Sequence, residues 1–246
     1  MFRSVAIMLT LCLATVTAQA ALLSRSGGQA YYDDVLDITW LADANLAASN
    51  SFGVTHICPD HSWCPGVGAM SWNTAQAWIG AMNTANYLGT NDWRLPTVTD
   101  TGGSGCSDYG YTGTDCGWNV DLSTGEMAHM YYSTLGNMPS RNTGGGLTGC
   151  GITGSIYCLT NTGPFSNLQR YAYWSGTIDA DYPNSSAWDF GFDGGYQNTN
   201  NRSMGLYAWA VTDGDPFAVV PIPPAVYLFG SALGLMGVMR RKVKAS

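Results

Sequence analysis

The sequence predicts an α+β domain with two helices and a mainly antiparallel sheet. Three observations carry that expectation. Residues 71–83 place Ala75, Trp78, Ile79 and Met82 at helical spacing. A helix-start signature stands at residues 123–126. From Tyr171 onward, short aromatic and β-branched runs alternate with turn formers, as strands joined by tight turns do. Helices followed by a cluster of strands suit α+β rather than an alternating α/β chain.

The ends bound the domain. Residues 1–20 carry Arg3, an apolar run over 5–16 and Ala18-Gln19-Ala20, the layout of a secretory signal peptide. The apolar run is too short to span a membrane. Residues 21–215 then form one domain, and residues 216–246 a tail. Between the ends stand five arginines, no lysine and all seventeen acids, a net charge of −12. A field of that sign repels phosphate backbones and excludes nucleic acid as a partner.

In chain order, residues 30–40 read as two short strands around Asp33-Asp34, a solvated hairpin. Asp33, Asp34 and Asp37 lack the spacing of an EF-hand loop, so calcium is an alternative there and not the expectation. The helix over 71–83 has Ser71 or Asn73 as cap and a Trp stripe that belongs to the core. Residues 91–97, Asn-Asp-Trp-Arg-Leu-Pro-Thr, form a rigid clasp. Pro96 pushes Leu95 toward extended geometry, so Trp93 and Leu95 face one side and Arg94 the other. Arg94 is expected to be buried against an acid, Asp92 or a later Asp. The second helix has Ser123 and Glu126 as a capping box, Leu122 stapled on Met127, a Met127, Met130 and Tyr131 face, and Gly136 at its end. Strands follow at 173–177, at 187–192 with Trp188, Phe190 and Phe192 on one face, and at 206–211, with a turn at Asp193-Gly194-Gly195. Trp93, Trp174, Trp188 and Trp209 are core candidates.

Cys12 goes with the leader, leaving six cysteines in three close pairs: Cys58 with Cys64, Cys106 with Cys116, and Cys150 with Cys158. An even count in an exported chain points to disulfides, each contributing roughly 2–3 kcal/mol in the chain-entropy account. His56, Cys58, His61 and Cys64 have ligand types that suit zinc, but an oxidising compartment favours the disulfide.

No Gly-x-Ser-x-Gly elbow and no His-Glu-x-x-His is present, and no Gly-Lys-Ser/Thr follows the glycine-rich loop at 143–162. With one Glu and three His, acid–base chemistry would rest on aspartates such as Asp179/Asp181 or Asp189/Asp193. His129 lacks a local partner. The expectation is a non-catalytic protein with no resident cofactor or metal. Tyr and Trp beside Asn and Asp are the materials of sugar recognition, and Trp118, Tyr182, Tyr196 and Tyr207 are the candidate binding residues.

The order of a helix, NDWRLPT with Trp93, Arg94, Leu95 and Pro96, then YWSGT with Trp174, AWDFGF with Trp188, and YAWAV resembles the Lcl C-terminal domain family, the end domain of a bacterial collagen-like adhesin. The resemblance runs from about residue 31 to 213. It implies a C-type-lectin-like α+β domain with a binding or adhesion role. The family's sulfated polysaccharide ligands do not suit so acidic a chain. In the tail, Val220, Pro221, Pro223 and the basic cluster from Arg240 and Arg241 flank an uncharged run. This resembles a PEP-CTERM sorting signal of the VPLPA type, with Pro224 where a small residue is common. The resemblance implies an exosortase-like membrane protease as partner and a transmembrane helix at about residues 222–239, with a basic stub at 240–246. The uncharged run 225–239 is about 22 Å long as helix, short of a ~30 Å hydrocarbon core. Basic residues after it stay cytoplasmic.

These features together predict an exported bacterial protein, held at or released from the outer surface, with a binding or adhesion role toward a polysaccharide or other glycan. The alternatives are a calcium-dependent lectin and a redox or hydrolytic enzyme on the same fold.

Overall fold

The computed structural model describes residues 21–58, 64–101, 106, 110–152 and 157–218. The chain divides into two units, Met1–Pro216 and Phe217–Ser246, and the fold below is that of the first. The leader and the sorting residues Val220, Pro221, Pro223, Arg240 and Arg241 lie outside the described residues. Among the described residues no helix is long and apolar enough to cross a membrane.

In chain order the elements are β1 (Leu22–Arg25), β2 (Ala30–Asp33), β3 (Ile38–Leu41), α1 (Trp72–Thr84), β4 (Gly117–Trp118), α2 (Glu126–His129), α3 (Gly149–Ile152), β5 (Ala172–Ile178), β6 (Ser186–Gly191), β7 (Tyr196–Asn201) and β8 (Val211–Asp213). The result is α+β with antiparallel strand pairs, as expected. One sheet has the order β1-β2-β3-β8 and the other β4-β7-β6-β5.

Helix α1 forms where its periodicity places it. The Ser71 hydroxyl accepts the Thr74 amide at 3.3 Å, and Trp72, Ala75, Trp78, Ile79 and Met82 are buried. The second helix differs from expectation. It begins at Glu126 with Gly125 as its cap residue, and it runs into a π turn over Met130–Thr134. Ser123 bonds Asp121 instead of capping, and Glu126 does not close a capping box. Its carboxylate is drawn to Arg94, because a charge-assisted pair outweighs a neutral cap bond. The apolar face is as expected, with Met127, Met130 and Tyr131 all buried. The single-turn α3 lies in a stretch expected to be loop.

Three further departures have physical reasons. Asp33, expected on a solvated hairpin, is buried: it accepts the amides of Val35 and Leu36 and the hydroxyl of Thr134, each at 3.1 Å. Those bonds offset its desolvation and shape the β2–β3 turn. Strand β7 has the sequence Tyr-Gln-Asn-Thr-Asn-Asn, with no apolar alternation, and forms because β6 supplies its register from Ser186↔Asn201 to Gly191↔Tyr196. Of the strand expected at 206–211, only Val211 lies in a strand, the first residue of β8. Leu206 pairs with Met70 and Tyr207 with Tyr173, so this stretch changes partner at each step and makes no continuous ladder there.

Those changes of partner create the seam of the molecule. Arg94 and Val211 exchange backbone hydrogen bonds of 2.8 and 2.9 Å, which adds the clasp to β8 on the side away from β3. The Gly176 amide donates to the Pro96 carbonyl at 2.8 Å, and Thr177 Oγ1 bonds both the amide and the carbonyl of Val98, which ties the clasp to β5. Asn83 of α1 bonds Trp93 through its amide side chain in both directions. Trp93 and Leu95 are buried, as expected. Trp188 packs with Val98 and Cys116 beneath the second disulfide. All three cysteine pairs close as expected, and bonds of this kind persist in oxidising compartments. A zinc site at Cys58 and Cys64 is excluded, because both sulfurs are spent on each other.

The Arg94 guanidinium points away from Trp93 and Leu95 and is half-buried. Its partners are Glu126, held by two bonds of 2.7 and 2.8 Å, and Asp213, whose Oδ1 accepts two more, with the Leu95 carbonyl taking the fifth bond. Asp92 is not among them; a later Asp and the single Glu take its place. Burial alone would lower the guanidinium's pKa, but Glu126 and then Asp213 outweigh it and the net shift is upward. Glu126 also accepts the Thr97 amide at 2.8 Å. Glu126 is mostly buried and Asp213 is exposed at 80% of its side chain, so the two partners are unequal. Glu126→Ala is expected to cost roughly 2–4 kcal/mol in urea unfolding, because it strands the guanidinium and an amide. Asp213→Ala is expected to cost under about 1 kcal/mol. Equal losses would contradict the assignment of Glu126 as the principal partner.

Candidate functional site

The four candidate binding residues do not converge. Trp118 and Tyr196 share one patch, with ring centroids 5.6 Å apart. Tyr111 stacks on Trp118 at 5.5 Å, the Arg141 guanidinium lies 5.3 Å from the same ring, and the indole N–H donates to Ser140 Oγ at 2.9 Å. Trp118, a candidate binding residue, is therefore engaged within the protein through its ring and its indole N–H. Tyr182 is 64% exposed in the β5–β6 connection and, among the described residues, shares no ring contact with the other three. Tyr207, expected at the surface, is only 3% exposed. The cause is its place in the seam, where its amide and carbonyl bond Ala172 and Trp174 of β5.

Tyr207 nevertheless reaches a groove. Pro65, Tyr157, Gln169, Arg170, Tyr171 and Tyr207 line an open cavity of about 470 Å³. Each wall has a structural cause. Pro65 follows Cys64 and Tyr157 precedes Cys158, so two disulfides set the position of both walls. Tyr171 leads directly into β5, and its ring meets Tyr207 edge-on at 6.3 Å. Gln169 is fixed by its amide, which donates to the Tyr173 hydroxyl at 2.7 Å. Gly66 is required beside it, since any Cβ there would strike the Tyr207 hydroxyl. The hydroxyls of Tyr157, Tyr171 and Tyr207 make no hydrogen bond among the described residues. Burial, with Tyr171 adding, raises the Tyr207 pKa, so this hydroxyl stays protonated and can both donate and accept. Only Tyr207 of this set is expected from sequence alone. The others sit in loops, and the Gln-Arg-Tyr run at 169–171 is a weak signal without the fold.

The groups weighed for acid–base chemistry are elsewhere. Asp179 is buried and accepts the Asp181 amide at 3.0 Å, a turn bond. His129 is half-buried with Nδ1 3.4 Å from the Thr134 hydroxyl, which also bonds Asp33. Burial lowers its pKa against the opposing charge of Asp33. Asp189 is sealed in the middle of β6, accepting the Asn200 amide at 2.8 Å through Oδ2. Its Oδ1 has no partner. No substrate reaches such a carboxyl. Among the described residues, no group of three or more His, Cys, Asp or Glu is placed to hold a metal.

Comparison with protein-family profiles, with characterised proteins and with solved structures finds no match. The chemistry of the groove is therefore the guide to function.

Burial pushes the Asp189 pKa up to about 7, partly opposed by Asn200 and reinforced by the charge of Asp193. The fold favours its neutral form. That contribution to stability is fully present below the unfolded pKa near 4 and is lost as pH rises through 7. At about 1.4 kcal/mol per pH unit, the loss amounts to roughly 4 kcal/mol. Asp189→Asn keeps an acceptor for Asn200 and removes the titration. The variant is expected to gain on the wild type steadily between pH 4 and 7 in chemical unfolding. Parallel pH profiles would contradict a buried neutral carboxyl.

Proposed function

We propose that this is an exported, non-catalytic protein of the bacterial cell surface or extracellular matrix, and that its tyrosine-lined groove binds a carbohydrate. The observation that carries the proposal is the groove itself: three tyrosines with unspent hydroxyls, positioned by two disulfides. Tyrosine rings stack on the apolar faces of sugars while their hydroxyls and a Gln carbonyl meet the sugar's own hydroxyls. A volume of about 470 Å³ suits one or two sugar rings. The three disulfides fit a compartment outside the cytosol. The resemblances support the same reading. A C-type-lectin-like Lcl domain would supply adhesion, and a PEP-CTERM tail would hand the chain to an exosortase-like protease, leaving it on the outer surface or released from it.

Protein purified from its host is the material for the test. Its mass should correspond to cleavage after Ala20, with three disulfides and without the stub at 240–246. On a glycan array it should bind with or without EDTA. Tyr157→Ala and Tyr171→Ala remove exposed rings, and each should weaken binding about three- to tenfold without loss of stability. Trp118→Ala should lower stability and leave binding unchanged. Binding that vanishes with EDTA would instead indicate a calcium-dependent lectin. Free thiols in the secreted form would contradict the disulfide-bonded export reading and point to redox chemistry.

A further inference from the structure

We propose that the groove selects a sugar that carries a carboxylate, a uronic acid, and that Arg170 is the residue that reads it. This rests on the groove being a carbohydrate site. The domain's five arginines are held in different ways. Arg25 pairs with Asp215 at 2.6 Å. Arg94 is saturated by Glu126, Asp213 and a carbonyl. Arg141 donates to the Gly145 carbonyl at 2.8 Å and lies against Trp118. Arg202 lies 4.0 Å over Trp72 and donates to Asn73 Oδ1 and the Pro183 carbonyl. Arg170 alone makes no hydrogen bond and no ion pair among the described residues. Three of the five arginines have no acid partner, but Arg141 and Arg202 are each held by hydrogen bonds, and only Arg170, among the described residues, has its N–H edge unspent; it stands at the groove.

Its placement matches a role in recognition. The guanidinium lies 5.8 Å from the centroid of the Tyr157 ring. Stacking on a ring uses the flat face of a guanidinium and leaves its N–H edge free, and that edge is what meets a carboxylate in a bidentate pair. Tyr157 is itself set beside the disulfide at Cys158, so the cation is held without an acid to hold it. The neighbouring Tyr171 and Tyr207 hydroxyls and the Gln169 carbonyl are available to the ring hydroxyls of the same sugar.

The charge of the rest of the domain narrows the ligand. With one cation unspent among the described residues, in a field of −12, the groove accommodates a single carboxylate per ring. A densely sulfated chain would meet the same field with many charges and one compensating arginine, and would be repelled. A contact through one cation also implies weak dependence on salt, because few counterions are displaced.

The test uses the full secreted protein in isothermal titration. The probes are oligogalacturonate, oligomannuronate and a glucuronate-containing oligomer, each beside the same oligomer with its carboxyls reduced to alcohols, together with a sulfated neutral oligomer. At least one uronate should bind roughly tenfold more tightly than its reduced form. Arg170→Gln should erase that preference and leave both forms binding at the level of the reduced one. Arg170→Lys should keep part of it, because charge remains and the bidentate edge is lost. Arg170 is exposed, so neither variant puts folding at risk. Equal binding of acidic and reduced forms would overturn the proposal while leaving the carbohydrate site standing. A preference that survives Arg170→Gln, or tighter binding of the sulfated oligomer, would overturn it too. Failure of all these oligomers to bind would remove this proposal, and binding of other glycans in the same titration would show that the site reading survives it.

Discussion

The exchange of backbone hydrogen bonds between Arg94 and Val211 is the constraint on which the rest of the structure depends. Neither sheet is large: β4 has two residues and β8 three. A strand as short as β8 leaves an open edge that gains from a further neighbour. The clasp supplies it by lying between β8 of one sheet and β5 of the other. Pro96 suits that position because it has no N–H to satisfy, and its carbonyl is the one Gly176 uses. Above the backbone, the Arg94 guanidinium gathers α2 and β8 through Glu126 and Asp213. A single arginine thus links β8, the strand that closes the first sheet, to helix α2.

The sequence makes parts of this legible and hides others for physical reasons. Helix α1 is legible because its periodicity and its Ser71 cap agree. The disulfides are legible because each cysteine has one near neighbour. The orientation of Trp93, Arg94 and Leu95 follows from Pro96 and strand alternation. The partner of Arg94 is not legible. Glu126 sits 32 residues on, in a stretch whose local pattern fits a capping box equally well. Tertiary charge pairing overrode local capping. Strand β7 is hidden because its polar residues carry no alternation, and its structure comes from β6. Asp33 and Asp189 look like solvated acids in the sequence; only the fold shows them buried, one saturated by hydrogen bonds and the other kept neutral. Tyr207 reads as an exposed aromatic, yet the seam buries all but its approach to the groove.

The groove illustrates why sites of this kind escape a linear reading. Its residues come from position 65, from 157, from 169–171 and from 207, and nothing local connects them. What connects them is the scaffold: two disulfides at the walls, the start of β5, and the seam strand at the floor. The composition of the domain then has a double meaning. Its acids keep an aromatic-rich surface soluble and hold Arg25 and Arg94, while carbonyl and amide oxygens hold Arg141 and Arg202. Arg170, the arginine without a hydrogen bond among the described residues, is placed where three tyrosines present unspent hydroxyls. Rigidity and chemistry therefore meet at the same place, as binding without reaction requires.

Hydrogen exchange of the seam amides, resolved residue by residue on the folded domain, tests its centrality most directly. A seam that joins both sheets predicts that the amides of Arg94, Gly176 and Val211 exchange only with global unfolding, at the same free energy as the amides of β6 paired to β7. Rapid exchange at Arg94 and Val211 while β6 and β7 stay protected would show that the sheets stand without the clasp, and would contradict it.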